Sequence, residues 1–205
     1  MKHHPLRSPA LALAVSLMLV PAAWADGTAA SAPVAALDNA LIATMKSGSA
    51  GQDFQARYKA LAPVVEQSYD LPEVTKNSVG FLWSTLPASQ QNELINLFTT
   101  FTVSSYVSQF DSYNGQSLTI MPKEKVLGQK KIIETKLTPK DGGGVVIDYV
   151  VSNEKNGWKI NDVLLNGTIS QVAIHASDFA SLVKSGDASQ LIAALKTKIN
   201  TLQGS

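Results

Sequence analysis

Two carboxylates, Asp148 and Asp162, stand in neighbouring strand-like stretches, and His175 follows them shortly after. Carboxylates paired across two strands can divide acid and base work between them. A histidine in reach of such a pair could move a proton or ligate a metal. The local pattern argues for quieter roles. Each aspartate alternates with apolar residues, as in Val145-Val146-Ile147-Asp148-Tyr149, so each can face solvent or cap a loop while its neighbours are buried. His175 falls on a predicted helix with no nucleophile or ligand partner announced nearby, and reads as a partly exposed structural residue. Gly142-Gly143-Gly144 precedes a strand and no lysine stands where a phosphate loop needs one. Asn166-Gly167-Thr168 matches the glycosylation sequon, which has no consequence in a bacterial compartment. Lys123, Lys125, Lys130, Lys131 and Lys136 cluster around two predicted strands. They form either a solvated sheet edge or a basic rim for anionic head groups or an acidic partner.

The elements that must position these residues begin after a segment expected to be removed. Lys2 and Arg7 precede an apolar run from Ala10 to Val20, Pro21 breaks it, and Ala23-Trp24-Ala25 fits signal peptidase. Residues 1–25 are therefore expected to be a signal peptide cleaved after Ala25, with export to the periplasm. The run is short for a membrane span, and no cysteine follows for a lipid anchor. The 205 residues, 45% hydrophobic and 16% charged, suffice for a single domain over 26–205. Losing Lys2 and Arg7 takes the basic count from 17 to 15 against 16 acidic residues, which leaves no field for nucleic acid. Without cysteine, stability must come from the core rather than from disulfides.

A helical part is expected over about 34–113. Leu37, Leu41, Ile42 and Met45 share one helical spacing. Phe54 to Tyr69 forms a second helix capped by Asp53, with a kink or restart at Pro63. A short helix opens at Leu71-Pro72 and stops near Gly80. The longest helix follows Thr85-Leu86-Pro87, capped by Ser84 or Thr85, and ends at Asn114-Gly115. It carries Phe98, Phe101, Tyr106 and Phe110 on a broad apolar face, enough to line a cavity as well as a core. Four strands are expected over about 117–165: Ser117 to Met121, Lys130 to Leu137, Val145 to Asn153 and Trp158 to Leu165. Short connections make them an antiparallel meander, with Asn156-Gly157 turning the last hairpin. C-terminal helices occupy about 170–203: one with Val172, Phe179, Leu182 and Val183 on a face, then one capped by Asp187 or Ser189.

Several motifs in order now resemble the MlaC / toluene-tolerance family of periplasmic lipid-binding proteins. They are Phe54-Gln55-Ala56-Arg57, Tyr69-Asp70, Gly80-Phe81-Leu82-Trp83, Phe110 to Gln116, Trp158-Lys159-Ile160-Asn161-Asp162-Val163, Asn166 to Ser170, Asp178-Phe179, Gly186 and Leu191 to Lys196. Gly167-Thr168-Ile169-Ser170 and Ser177-Asp178-Phe179 look more like the hopanoid-associated HpnM branch. Ala173-Ile174-His175-Ala176 stands where the phospholipid branch has an Asn-Tyr-Arg-like run, so the ligand stays open between phospholipid and hopanoid. The resemblance implies an α+β fold of the NTF2-like class, with helices around a twisted antiparallel sheet of about four strands enclosing an apolar pocket. It implies a carrier that shuttles lipid between outer- and inner-membrane transport components. Its partners would be an inner-membrane ABC transporter or RND-type lipid exporter and an outer-membrane lipoprotein or porin complex.

A carrier needs a pocket and neither a cofactor nor a catalytic residue. A buried CH₂ is worth about 0.8 kcal/mol, so a long acyl chain cannot cross water unshielded at a useful rate. The expected wall is Phe98, Phe101, Tyr106 and Phe110 from the long helix meeting Ile133, Ile147, Tyr149, Trp158 and Ile160 from the sheet, with Trp83 beside them. The head group would sit at the mouth, near the lysines. Two other readings are an NTF2-like isomerase or hydratase using Asp148 or Asp162, and a periplasmic adaptor without ligand.

Overall fold

A computed structural model describes residues 29–204 of the chain. The expected signal peptide and its cleavage point lie outside the described residues. Helix α1 (Ala32–Ser49) has Pro33 in its first turn and buries Val34, Leu37, Leu41 and Met45 along one stripe. Helix α2 (Phe54–Ser68) starts where Asp53 accepts a hydrogen bond from the Ala56 N–H at 2.7 Å. Pro63 lies within this helix, which runs through it without a restart. Replacing Asp53 with alanine orphans that N–H and should lower stability by about 1 kcal/mol, read as a shifted urea midpoint with an unchanged slope.

Tyr69 and Asp70 form a two-residue extended link. Tyr69 bridges Ile160 of the sheet, the Asp70 N–H donates to the Ile160 carbonyl at 2.9 Å, and the Asp70 side chain caps α3 (Leu71–Val79). Gly80, at φ 77°, ends α3, and a 3-10 turn (Gly80–Thr85) leads to α4 (Ala88–Gln109). Helix α4 follows Pro87 without a side-chain cap; the Thr85 hydroxyl instead donates to the Leu82 carbonyl and accepts from the Gly186 N–H at 3.1 Å. It also stops at Gln109, short of Asn114-Gly115. Phe110 leaves helical geometry, and the Tyr113 N–H is drawn to the Ser49 hydroxyl at 2.7 Å.

The sheet has six strands rather than about four: β1 (Ser117–Ile120), β2 (Lys125–Leu127), β3 (Lys130–Thr138), β4 (Val145–Glu154), β5 (Gly157–Leu165) and β6 (Ile169–Ser170). The two unexpected strands, β2 and β6, are too short to show a period of two. All pairings are antiparallel in the order β1-β3-β4-β5-β6, and β2 shares the outer edge of β3 with β1. A register shift between Val150 and Val151 is the feature that matters most for the site. Val150 pairs with Asp162 while Val151 pairs with Ile160, so Asn161 is the extra residue of a bulge. Its buried amide is held by the Ser152 hydroxyl at 2.5 Å.

Helix α5 (Gln171–Phe179) ends before Leu182 and Val183, and α6 (Ser189–Gln203) packs along α4. Asp187 does not cap α6 in the expected way. The N-cap is Ala188, and the Asp187 carboxylate instead binds the Ser189 N–H at 2.9 Å. The result is the expected α+β arrangement of helices against one antiparallel sheet. Among the described residues no helix is long and apolar enough to cross a membrane.

Candidate functional site: an apolar cavity

Helix α4 is apolar on more than one side because it serves two environments. Leu94, Phe98, Val103 and Val107 are buried in the core. Phe101, Tyr106 and Phe110 face a cavity of about 360 Å³, and Phe98 reaches it too. The hydroxyls of Thr99, Thr100 and Thr102 donate to carbonyls four residues back, so these polar groups are satisfied within the helix.

The opposite wall is sheet. Ile147 and Tyr149 of β4 line the cavity, with Val145 at the start of that strand. Register places Leu165 opposite Ile147 and Val163 opposite Tyr149, and both join the wall. Leu137 continues the surface from β3. This settles which alternate residues of β4 face inward. Three of the expected sheet residues, Ile160, Trp158 and Ile133, lie off this wall. Beyond the bulge, Ile160 is fully buried beside Val151 and against Tyr69, as part of the closed core. Trp158 lies further along the same strand, under the Lys131 ammonium at 5.2 Å.

Of the ten expected wall residues, the structure therefore brings six together: Phe98, Phe101, Tyr106, Phe110, Ile147 and Tyr149. Ile133 faces the same side of β3 as Leu137 but is closed over in the core, at 1% exposure. Trp83 sits in the 3-10 turn, half-buried against the core and off the cavity wall. None of the five clustered lysines lines the cavity, and two are engaged elsewhere. Lys125 pairs with Glu134 at 2.9 Å and Asp148 at 3.5 Å, and Lys131 pairs with Glu124 at 2.7 Å.

Helix α5 supplies a third side through a capping arrangement centred on Asp162. Its Oδ1 accepts from the Val163 N–H at 2.7 Å and the Val172 N–H at 3.2 Å. Its Oδ2 accepts from the Ser170 hydroxyl at 2.6 Å, and the Ser170 oxygen in turn accepts from the Ala173 N–H. The aspartate thus ties the end of β5 to the first turn of α5 and turns Gln171, Val172 and His175 into the cavity. Asp162 borders the cavity, yet both of its oxygens are spent on this joint. Asp148 is not on the wall at all; it is buried between Ile147 and Tyr149 in sequence, with Lys125 on its Oδ2. The pair is not arranged as a shared acid–base site.

His175 is part of the wall rather than of an ordinary helix surface. Its ring stacks on Phe179 at 5.4 Å and meets Phe98 edge-on at 5.3 Å and Phe101 at 5.9 Å. Burial among these rings pushes its pKa below the ordinary 6.5, and Asp178 and Asp162 pull it part of the way back. Gln171 also lines the wall, with its Nε2 buried and unpartnered among the described residues.

A polar knot lies beneath the apolar lining. Tyr69, Tyr106 and Tyr149 all reach the cavity, and the hydroxyls of Tyr69 and Tyr106 are hydrogen-bonded to each other. Burial pushes the Tyr106 phenol up to about 12, and raises Tyr69 and Tyr149 as well. The Tyr149 hydroxyl donates to Asp38 at 3.4 Å, and the Thr135 hydroxyl donates to the other oxygen at 3.0 Å. Burial raises the Asp38 carboxyl to about 6, against the opposing pull of these two donors. Among the described residues no group of three or more His, Asp or Glu is placed to hold a metal ion.

Sequence reasoning assigned no wall role to Tyr69, Gln171 or Asp38, and His175 read as a partly exposed structural residue. A signal existed for Asp38, which lies between Val34 and Leu41 on the buried stripe of α1. It existed less clearly for Tyr69, an aromatic at a junction of two helices.

Two comparisons place this geometry among known proteins. The sequence matches the model of the MlaC protein family over residues 35–197. No curated protein matches it. Among solved structures, it is similar to a phospholipid-binding protein from Ralstonia solanacearum, determined in complex with a phospholipid. The TM-score is 0.72 at 21% identity, over 84% of this chain and 98% of that one.

Proposed function

Because this chain belongs to the MlaC protein family, we propose that it is a periplasmic lipid carrier whose cavity shields the tails of a phospholipid or a hopanoid. The observation that carries the reading is the wall itself. Aromatic rings of α4, the inward face of β4 and β5, and Val172 with His175 of α5 surround one space with a mainly apolar surface. Such a surface replaces the bilayer interior as solvent for hydrocarbon, at about 25 cal/mol for each Å² removed from water. The polar head stays toward the open side, where Val145 and Leu165 are 44% and 37% exposed. Transfer then takes place between membrane transport components on either side of the periplasm. The Ralstonia solanacearum protein, which holds a phospholipid, supports phospholipid as the ligand class.

Native mass spectrometry and solvent extraction of protein purified from its own host test this directly. The expected spectrum shows protein plus one lipid, and the extract names that lipid as phospholipid or hopanoid. A homogeneous mass of the bare chain, with nothing extractable and no uptake from vesicles, overturns the reading.

A further inference from the structure

The basic cluster remains outside the cavity and has its own shape. Strand β2 and the start of β3 form a hairpin around Gly128-Gln129, with Val126 opposite Lys131 and Leu127 opposite Lys130. Gly128 turns the chain at φ 61°. The hairpin is braced from below by Lys125 on Glu134 and Asp148, by Lys131 on Glu124, and by Lys131 over the Trp158 ring. At its tip, Val126 is 77% and Leu127 53% exposed. A sheet edge is normally protected by charge, and two exposed aliphatic residues there are a liability unless something covers them. The surrounding charge indicates what does. Residues 121–138 hold five lysines and two glutamates, although the whole chain has 17 basic and 16 acidic residues. All the excess positive charge is therefore concentrated on this hairpin and its flanks, and the remainder is slightly acidic.

We infer that the β2–β3 hairpin is a docking tip for an anionic bilayer surface. Val126 and Leu127 enter the head-group region, and Lys123 and Lys130 lie against the lipid phosphates. Exposed lysines near an anionic surface and a small inserted apolar area act together in this kind of weak, reversible attachment. The inference concerns the outer surface and stands apart from the cavity. It goes beyond the carrier reading by giving the protein a direct membrane contact.

Flotation of the full chain with two vesicle types tests it: phosphatidylcholine alone, and phosphatidylcholine mixed with phosphatidylglycerol. Binding is expected to the mixed vesicles only and should fade as salt rises, since screening shortens the reach of the lysines. Val126→Ser with Leu127→Ser should weaken it by about tenfold, and Lys123→Gln or Lys130→Gln by about fivefold each. Circular dichroism should be unchanged in these variants, as should lipid uptake into the cavity. Phe101→Asp, which alters the cavity, should still float. Absence of binding to the mixed vesicles, equal binding to both types, or full binding by the Val126→Ser, Leu127→Ser protein overturns the inference. Loss of flotation in Phe101→Asp also overturns it, because the attachment would then run through the cavity. A protein that floats normally but takes up no lipid refutes the carrier reading and leaves the docking tip standing.

Discussion

Phe101→Asp should abolish lipid uptake while leaving the protein folded. Phe101 is half-buried on the inner side of α4, and its ring meets Phe98 at 5.9 Å and His175 at 5.9 Å. In the empty protein the new carboxylate would stand at the edge of an open cavity and keep its water. A lipid tail would strip that water and leave the charge unpaired against hydrocarbon. The penalty for such a charge is several kcal/mol, and even about 3 kcal/mol is more than a hundredfold in affinity. Aspartate is the sharper choice than glutamate, because the shorter side chain keeps its charge away from His175. The cost to the fold is the lost ring contact and a poorer helix former, so the melting temperature should fall by a few degrees only. Uptake from labelled vesicles, measured beside a thermal melt, separates the two effects. Normal uptake by a folded variant would show that lipid does not contact this wall. The same substitution at Ile147 is a different experiment. Ile147 is 8% exposed in a central strand, and a carboxylate there should prevent folding.

The contrast between these two positions shows how far the sequence could be read. Period-two alternation in Val145 to Leu165 gives two strands and a hairpin, and Asn156-Gly157 gives its turn. Neither gives the bulge at Val150/Val151, because a bulge leaves the local residue types unchanged and alters only the pairing. That one extra residue is why Val163 and Leu165, rather than Asp162 and Leu164, share the inner face with Ile160 and Trp158; the last two are off the cavity because they lie further along the sheet, beyond its closed end. On α4 the spacing was sufficient, and all four aromatic residues expected at the wall reach it. The wall of α5 was hidden for another reason. Its direction is fixed by Asp162 and Ser170 across a turn containing Asn166 and Gly167, both at positive φ. Read alone, Asp162 is a carboxylate among apolar residues and invites a catalytic reading. Read with its three donors, it is the joint that aims Gln171 and His175. The lysine cluster was visible as a cluster, but its separation from the cavity depends on Lys130 and Lys131 lying at the end of β3 away from Leu137, and on Lys136 facing the other side of the strand.

Asp38 should make the protein less stable as pH rises, by about 3 kcal/mol. Its carboxyl is 5% exposed beneath the cavity floor and is raised from 3.8 to about 6 in the folded state. Between those two values the native state holds a proton that the unfolded chain has released. Stability therefore falls with pH across that interval and levels off above about pH 6. A shift of this size corresponds to about 3 kcal/mol at 1.36 kcal/mol per pH unit. His175 works in the opposite sense. Its pKa is depressed, so the stability it contributes above the ordinary histidine range is lost as pH drops through its folded value. The raw profile of the wild type mixes the two slopes. Asp38→Asn removes one of them and keeps an acceptor for the Thr135 or Tyr149 hydroxyl. The difference in unfolding free energy between variant and wild type should thus move in favour of the variant by about 2.5 kcal/mol from pH 4 to pH 8. Urea unfolding at several pH values measures it. Parallel profiles for the two proteins would mean that folding leaves the Asp38 proton affinity unchanged. In the expected case, the carboxylate at neutral pH is an unfavourable buried charge held by Thr135 and Tyr149. The fold tolerates that cost at the point where Tyr149 meets the cavity, so replacing Asp38 should also loosen the Tyr149 ring on the cavity wall.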